Sequence, residues 1–313
     1  MYRQIVILVV LVMALGGASQ KSTPASSNVE PADFELNFAG VCAADWPSSF
    51  RFYTEALGIR TRSRRGNWAL LGSGWDRYLA GRSRGLVFEL FERGRRSSDV
   101  DAEEQAIRLG IQVRDLEKSM AIASARGVYF ASPIQAEGNI RRVEFTTPER
   151  IQWILWSASG PRPADDFSEP DITLAEIRVQ DLRGQIAFYR DVLGMRILER
   201  QTSRIVLRQA PDGPQMVLKP GGRKHVVDPI EMHEPAISQP VFLSFMTRNV
   251  RAASARLRDA GALMLQDIKH HDWGGTDLVV ADADGNAVQV VEYDVPHAYG
   301  SQAQAATSSK AGR

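Results

Sequence analysis

Apolar side chains recur at helical spacing in two matching segments of the chain. DWPSSFRFYTEALGI (45–59) and DLRGQIAFYRDVLGM (181–195) each place apolar residues three or four positions apart, which gives one stripe on a helix. The Asp that opens each segment is a favoured N-cap, and the Gly near its end is a favoured helix stop. The pattern predicts the same capped helix twice, as in an internal repeat.

A second, weaker pair of helical segments lies between and after these copies. VRDLEKSMAIASARGV (113–128) and TRNVRAASARLRDAGA (247–262) share a cap residue, a helical stretch and a terminal Gly. Each of the four helices follows a short apolar strand, and further strand-like segments follow each helix. The leading strands are predicted at 38–43, 109–113, 174–179 and 241–246. The sequence therefore predicts an α+β fold built from four βαβββ units.

The N-terminus carries the pattern of an export signal. Arg3 precedes the apolar run 5–15, and small residues follow up to Ala18, which is the arrangement of a secretory signal peptide. The run is shorter than the roughly 20 residues that span a bilayer, and an uncleaved anchor is the alternative. We expect a signal peptide at 1–18, a flexible spacer at 19–32, and a periplasmic or secreted protein.

The composition changes twice more along the chain. A stretch rich in Pro, Ser and acidic residues at 158–170 is typical of a domain linker. It separates a first predicted domain at 33–157 from a second at 171–295. The polar tail at 296–313 is rich in Ala and Ser, and we expect it to be disordered.

Charge and cysteine content exclude several kinds of partner and site. Lys and Arg number 38 against 37 Asp and Glu, so no overall charge favours nucleic acid or an anionic membrane. Cys42 is the only cysteine, which excludes an intrachain disulfide and a thiolate metal cluster. We expect a small-molecule partner, no nucleic acid, and no membrane contact beyond an uncleaved anchor. The sequence leaves a homodimer open.

Three short motifs resemble those of a known superfamily. FYRDVLGM (188–195) matches the opening signature of the vicinal-oxygen-chelate proteins, which include glyoxalases, bleomycin-resistance proteins and extradiol dioxygenases. DADGNAVQV (282–290) resembles the turn into their last strand, and HDWGG (271–275) resembles the approach to it. The resemblance implies that βαβββ units pair and that their curved strands form a cup around a ligand or metal. Four units imply two such domains and two cups.

The resemblance also implies where metal ligands would stand, with one His, Glu or Gln in each unit. The matching positions are Phe38, Glu89, Arg108 and Ile154 in the first domain, and Leu174, Leu218, Phe242 and Gln289 in the second. A divalent ion needs about four to six converging oxygen or nitrogen donors. Each domain keeps one plausible donor, so we expect no metal and no cofactor. Purified protein should carry no stoichiometric iron, manganese, nickel or zinc.

Three polar residues at these positions have more than one interpretation. Glu89 in VFELFE is either a ligand remnant that points into the cup or a strand carboxylate that faces solvent or pairs with an Arg. We favour the second interpretation, with Arg108 facing Glu89 across the first cup as a candidate partner. Arg108 is also a candidate ligand contact. Gln289 is either a ligand contact or a satisfied polar group.

The segment His271-Asp272-Trp273 is the strongest candidate for a functional site. His271 is an acid or base near neutral pH, Asp272 would orient it, and Trp273 would offer a flat apolar surface. The alternative is a polar approach to the last strand with Trp273 as a lid on the core. In the first domain Trp68 and Trp153, together with Trp75 and Tyr78, suit a cup for a flat ligand, although core packing also explains them.

Two functions follow from the resemblance. In the first, an exported protein similar to glyoxalases and bleomycin-resistance proteins binds a small organic molecule, aromatic or hydrophobic, in cups without metal. In the second, a metal-independent enzyme performs lyase, isomerase or ring-forming chemistry with His271 or Glu89 as general base. Glyoxalase I and extradiol dioxygenase activities are disfavoured because their metal ligands are missing. The fold alone does not decide between binding and catalysis.

Overall fold

Four consecutive βαβββ units make up this computed structural model, which describes residues 34–72, 85–92, 106–158, 170–224, 239–272 and 274–293. Unit 1 contains β1 (Glu35–Ala43), α1 (Trp46–Arg51), the π-helical segment π1 (Phe52–Ala56), β2 (Thr61–Arg65), β3 (Trp68–Leu71) and β4 (Val87–Glu92). Unit 2 contains β5 (Ile107–Gln112), α2 (Leu116–Ala125), β6 (Gln135–Glu137), β7 (Ile140–Thr146) and β8 (Gln152–Ala158).

The second half of the chain repeats this order. Unit 3 contains β9 (Asp171–Val179), α3 (Leu182–Ile186), the π-helical segment π2 (Ala187–Val192), β10 (Arg196–Arg200), β11 (Ile205–Arg208) and β12 (Gln215–Pro220). Unit 4 contains β13 (Val241–Met246), α4 (Val250–Asp259), β14 (Leu263–His271), β15 (Gly275–Ala281) and β16 (Ala287–Tyr293). None of the helices within the described ranges is long and apolar enough to cross a membrane. The predicted signal peptide, spacer and tail lie outside the described residues.

Side-chain caps begin all four helices. The side chains of Asp45, Asp115, Asp181 and Asn249 each accept a hydrogen bond from the backbone N–H three residues later, so the predicted caps are confirmed. Gly58 and the repeated Gly194 have φ angles of 71° and 77°, the left-handed conformation that glycine adopts without strain.

The units pair in an order that crosses the two halves of the sequence. Sheet A joins units 1 and 4 in the strand order β14-β15-β16-β13-β1-β4-β3-β2, and sheet B joins units 2 and 3 in the order β10-β11-β12-β9-β5-β8-β7-β6. The central contacts are the antiparallel pairs β1–β13 and β5–β9. The predicted α+β fold of four paired units is confirmed. The expectation that 33–157 and 171–295 each enclose their own cup is wrong, because each sheet takes strands from both segments.

The two faces of each sheet have different surroundings. Alternate residues of a strand point to opposite faces, so Ala39 and Val41 join the main apolar core while Phe38 lies in a separate cluster on the other face of β1. The main core also contains Leu109 and Trp153 of sheet B, so both sheets contribute to it. The face of sheet A that points away from the main core is called cup A, and the corresponding face of sheet B is called cup B.

A buried tyrosine in each π-helical segment holds a turn of the following unit. The hydroxyl of Tyr189 donates a hydrogen bond to Asp282 Oδ2 at 3.0 Å. Asp282 also accepts hydrogen bonds from the backbone N–H groups of Asp284 and Asn286, so the DADGN motif is a closed turn. Burial raises the pKa of the Asp282 carboxyl, and these donors partly offset that rise.

The same arrangement recurs in the first half, with weaker contacts. Tyr53 donates to Glu149 Oε2 at 3.4 Å, and the turn is closed by the Thr147 hydroxyl and the Ile151 N–H. Arg150 stands at φ 63°, at the turn position that Gly285 occupies in unit 4. These contacts tie unit 1 to unit 2 and unit 3 to unit 4, while the sheets tie unit 1 to unit 4 and unit 2 to unit 3.

We expect Tyr189→Phe to lower the free energy of unfolding by about 1–3 kcal/mol, because a buried carboxylate loses a donor. Tyr53→Phe is the matched control and should cost less, since a 3.4 Å contact is a poor hydrogen bond. Urea denaturation of both variants measures the difference. Equal costs would show that the hydroxyl contact with Asp282 is not what stabilises this junction.

Candidate functional site

Cup A has an apolar floor. Its floor is a separate buried cluster, against which Trp68 and Tyr293 pack. The cluster consists of Phe38, Leu70, Val87, Met246 and Val291. The rings of Phe38 and Tyr293 stack with centroids 5.5 Å apart. Trp68, which we expected to contact a ligand, is half-buried at the edge of this cluster. This face offers aromatic and aliphatic surface to a ligand.

A polar network centred on Asp277 lies on the same face. Asp277 is only 3% exposed, and its Oδ1 accepts hydrogen bonds from Gln266 Nε2 at 2.7 Å and His271 Nε2 at 2.8 Å. Its Oδ2 accepts from Gln289 Nε2 at 2.7 Å. Since an ionised carboxylate only accepts hydrogen bonds, the Asp277 network assigns the proton of His271 to Nε2 and the amide nitrogen of Gln289 to the side of Asp277.

The predicted orienting residue for His271 was wrong. Asp272 is exposed, and the carboxylate that hydrogen-bonds to the imidazole is Asp277, across the β14–β15 hairpin. Sequence neighbours in extended chain point to opposite sides, so proximity in the sequence did not identify the partner. Trp273 lies outside the described residues.

Glu89 is also on the face of cup A. It follows Val87 of the cup cluster by two residues on β4, and its strand neighbours are Gly40 and Leu70. Burial raises the pKa of its carboxyl to about 7. Within the described ranges it makes no hydrogen bond or ion pair. Arg108, the candidate partner of Glu89, does not pair with it, because Arg108 belongs to sheet B.

Because unit 1 pairs with unit 4, two of the implied metal positions, Glu89 and Gln289, lie in one cup. This corrects the expectation of one donor in each cup. The remaining positions of this cup are Phe38 and Phe242. The Phe242 ring lies directly over Gly40, where an added Cβ would come within 2.2 Å of it. No three His, Cys, Asp or Glu side chains converge as a metal site among the residues that the structure describes. Two aromatic rings and an amide already bonded to Asp277 do not fit the family's metal.

Cup B contains buried ion pairs instead of an open polar wall. Glu176, at 1% exposure, accepts from Arg142 Nη1 at 2.6 Å. Glu144 Oε1 lies 2.8 Å from Arg142 Nη2 and 3.0 Å from Arg108 Nη1, so it connects the two arginines. Burial lowers the pKa of Arg108, and the nearby Glu144 opposes that change. Arg108, which we expected to contact a ligand, is thus part of this ion-pair network.

Glu137 extends the network between strands near opposite edges of sheet B. It lies on the edge strand β6 and pairs with Arg204 at 3.5 Å and Lys219 at 3.2 Å. Lys219 is on β12, and Arg204 immediately precedes β11. The charges therefore close cup B across its width.

Apolar residues occupy the other implied metal positions of cup B. Leu174 and Ile154 belong to its apolar cluster. The third position needs a correction, since Leu218 packs in the main core and the residue on the cup face is Val217. These residues do not fit a metal either.

Trp153 is a core residue and not a cup residue, which corrects its predicted role. It is fully buried and packs against Tyr53 and Phe88, each with ring centroids 5.4 Å away. Trp156, three residues later on β8, lies on the face of cup B. Trp75 and Tyr78 lie outside the described residues.

Several residues of both cups were not predicted from the sequence. Asp277 and Gln266 were missed in cup A, and Glu176 and Arg142 in cup B. A signal existed for Asp277, the one carboxylate of β15, and for Glu176, an acidic residue in the middle of the largely buried β9, because buried charges are normally paired.

Solved structures with a similar fold cover most of the chain. Glyoxalase I from Zea mays matches with a TM-score of 0.62 and 16% identity over 83% of this chain and 93% of that one. Its E144Q mutant matches with a TM-score of 0.63 and 17% identity, over 83% and 94%. A putative dioxygenase from Bacillus subtilis matches with a TM-score of 0.58 and 12% identity, over 85% and 88%. At these identities the likeness shows the fold alone.

Sequence comparison gives a consistent assignment. No curated protein sequence matches the chain. The sequence profile of one family, described as Glyoxalase/Bleomycin resistance protein/Dioxygenase superfamily, matches residues 35–155 and 172–290. With the four βαβββ units and the two cups, this match shows that the chain belongs to the Glyoxalase/Bleomycin resistance protein/Dioxygenase superfamily.

Proposed function

We propose that the chain binds a small organic molecule in cup A, without a metal held at the family's positions. The observation that carries this proposal is the combination of an apolar floor around Phe38 with the Asp277 network on the same face. Ligand sites are mostly apolar and use a few fixed polar groups for orientation. The ligand then has an aromatic or hydrophobic body and at least one polar group.

The Asp277 network supports selective binding because its groups are already oriented. With its amide nitrogen bonded to Asp277 at 2.7 Å, Gln289 presents its Oε1 as an acceptor. The imidazole of His271 is held by the same carboxylate at 2.8 Å. Groups fixed before binding lose less conformational freedom when a ligand arrives.

Glyoxalase I activity, which the maize neighbour's name carries, is not proposed for this chain. Phe38 and Phe242 occupy two of the implied ligand positions in cup A, and neither side chain donates to a metal. Cup B offers Leu174, Ile154 and Val217 at the corresponding places.

We expect Asp277→Asn to weaken ligand binding about tenfold or more, because an amide cannot accept from all three donors of the network. Native mass spectrometry of purified protein identifies a co-purified molecule, and a thermal-shift screen of aromatic alcohols, ketones and acids supplies probes. Calorimetric titration of the best probe then measures the affinity of each variant.

Asp272→Asn is the matched control for this experiment, since it makes the same change at an exposed neighbour of His271. The control should bind like the wild type. Equal affinities in both variants would place the ligand elsewhere than cup A. No co-purified molecule and no binding by any probe would contradict the binding function itself.

A metal-independent enzyme is the second candidate, and one observation favours it. The raised pKa of Glu89, about 7, suits a general base near neutral pH. If Glu89 removes a proton from a bound carbon acid, incubation in heavy water should exchange that hydrogen for deuterium. The exchange should increase as the pH passes through about 7 and should vanish in Glu89→Gln. A binding protein shows no exchange in either form.

The same pKa predicts how stability depends on pH. Because the Glu89 pKa rises from its ordinary 4.5 to about 7 on folding, the folded chain holds this proton more tightly than the unfolded chain. The contribution of Glu89 to the stability of the wild type should therefore fall between about pH 4.5 and pH 7. We expect Glu89→Gln to be more stable than the wild type by roughly 1–3 kcal/mol at pH 8 and little changed at pH 4.5. Urea denaturation at the two pH values checks this, and a difference that is the same at both would contradict the shift.

We also propose export, with cleavage near Ala18, from the apolar run and the small residues behind it. Intact-mass measurement of the protein from a bacterial envelope fraction should give a chain that begins just after this point. A full-length chain in the membrane fraction would indicate the uncleaved anchor instead.

A further inference from the structure

Cup B opens into a large cavity that the proposed function does not use. The cavity, called cavity B, has a volume of about 1190 Å³, above the usual range of roughly 300–1,000 Å³ for ligand pockets. Its wall includes Ile140, Trp156, Val206 and Val217 of cup B, and it extends to Ile122 on α2. The cavity is thus open well beyond the buried ion pairs.

Two exposed apolar side chains stand on the wall of cavity B. Leu198 on β10 is 52% exposed and Ile122 on α2 is 44% exposed. They come from different units, so each supplies apolar surface to the cavity from a different element. Exposed leucines and isoleucines at a cavity offer contact surface to an apolar ligand.

Arg208 supplies a positive charge that no described carboxylate pairs with. It follows Val206 by two residues on β11, so both side chains share the cup face. Its Nη1 donates to the Pro211 carbonyl oxygen at 2.6 Å, and its buried Nε has no hydrogen-bond partner in the part of the chain that the structure describes. Burial lowers the pKa of Arg208, and Asp212 opposes this only through space. Within the described residues no carboxylate lies within ion-pair distance of it.

None of the described carboxylates on this wall, which include Asp115, Asp171, Glu199 and Asp212, forms an ion pair with Arg208. Glu199 is paired with Arg204 at 3.1 Å, and Asp115 caps α2. Two more buried side-chain polar atoms of cavity-lining residues, Trp156 Nε1 and Thr173 Oγ1, have no hydrogen-bond partner among the described residues. All three groups can donate hydrogen bonds, so the arrangement favours a ligand that carries acceptor oxygens.

We infer that cavity B is a second ligand site, separate from cup A, for an amphipathic organic anion. The acidic group of the ligand binds the Arg208 guanidinium, and its apolar body packs against Leu198 and Ile122. Guanidinium groups bind carboxylates and similar oxyanions strongly, through paired hydrogen bonds.

The test uses two fluorescent probes that share one ring system. 8-Anilino-1-naphthalenesulfonate carries an anionic group, and N-phenyl-1-naphthylamine lacks it. We expect Arg208→Gln to weaken binding of the sulfonate about tenfold or more and to change binding of the neutral amine less than twofold. Arg251→Gln, on the exposed face of α4, is the control with the same charge change and should leave both affinities unaltered.

A second variant tests the apolar contact without risk to the core. Leu198→Ser changes an exposed residue and should weaken both probes. Asp277→Asn in cup A should leave sulfonate binding unchanged, which separates this inference from the proposed function. No saturable sulfonate binding to the wild type, or an unchanged affinity in Arg208→Gln with native circular dichroism, would overturn the assignment.

Discussion

The antiparallel pairing of β1 with β13, and of β5 with β9, determines which side chains share a cup. If each half of the sequence closed on itself, Glu89 would face unit 2 and the Asp277 network would face unit 3. The observed pairing puts Glu89, Phe38 and the Asp277 network into one sheet. Cup A therefore has an apolar floor, an unpaired carboxyl group and an oriented imidazole on the same face. Among the described residues, cup B has its carboxylates in ion pairs and has no imidazole.

The pairing of the sheets and the contacts of the turns complement each other. The sheets join unit 1 to unit 4, whereas Tyr53 and Tyr189 join each odd unit to the next even one. Neither sequence half can separate from the other without exposing a strand edge and the shared apolar core. The DADGN motif thus joins unit 3 to unit 4 through Asp282. From the sequence alone, the motif indicated only the resemblance to the family.

The ion pairs of cup B do not by themselves argue for greater stability. Removing Glu176 and Arg142 from water is costly, and their attraction offsets that cost only when the geometry is good. What the pairs determine is shape, because Glu137 on β6 meets Arg204 and Lys219 from the far side of the sheet. The closed end of cup B excludes a ligand there and leaves cavity B as the accessible part.

The sequence predicted local features well and long-range partners poorly, for physical reasons. Helix caps and the repeat are local, so Asp45 and Asp181 were identified correctly. Leu218 was one residue out of register because the connection before β12 is shorter than the one before β4. Trp153 was misplaced because β8 is buried on both faces, and a strand without alternation does not reveal which face meets the core.

The sequence could not predict which units pair, for a different reason. That pairing also explains how the two cups differ. The leading strands of all four units are largely buried, so apolar pattern alone does not specify which two meet. Once unit 1 meets unit 4, Gly40 permits the Phe242 ring to cross above it. The corresponding position in sheet B is Glu176, whose buried carboxylate is stabilised by nearby cations such as Arg142. One residue on the central strand thus accounts for much of the contrast between an aromatic cup A and an ionic cup B.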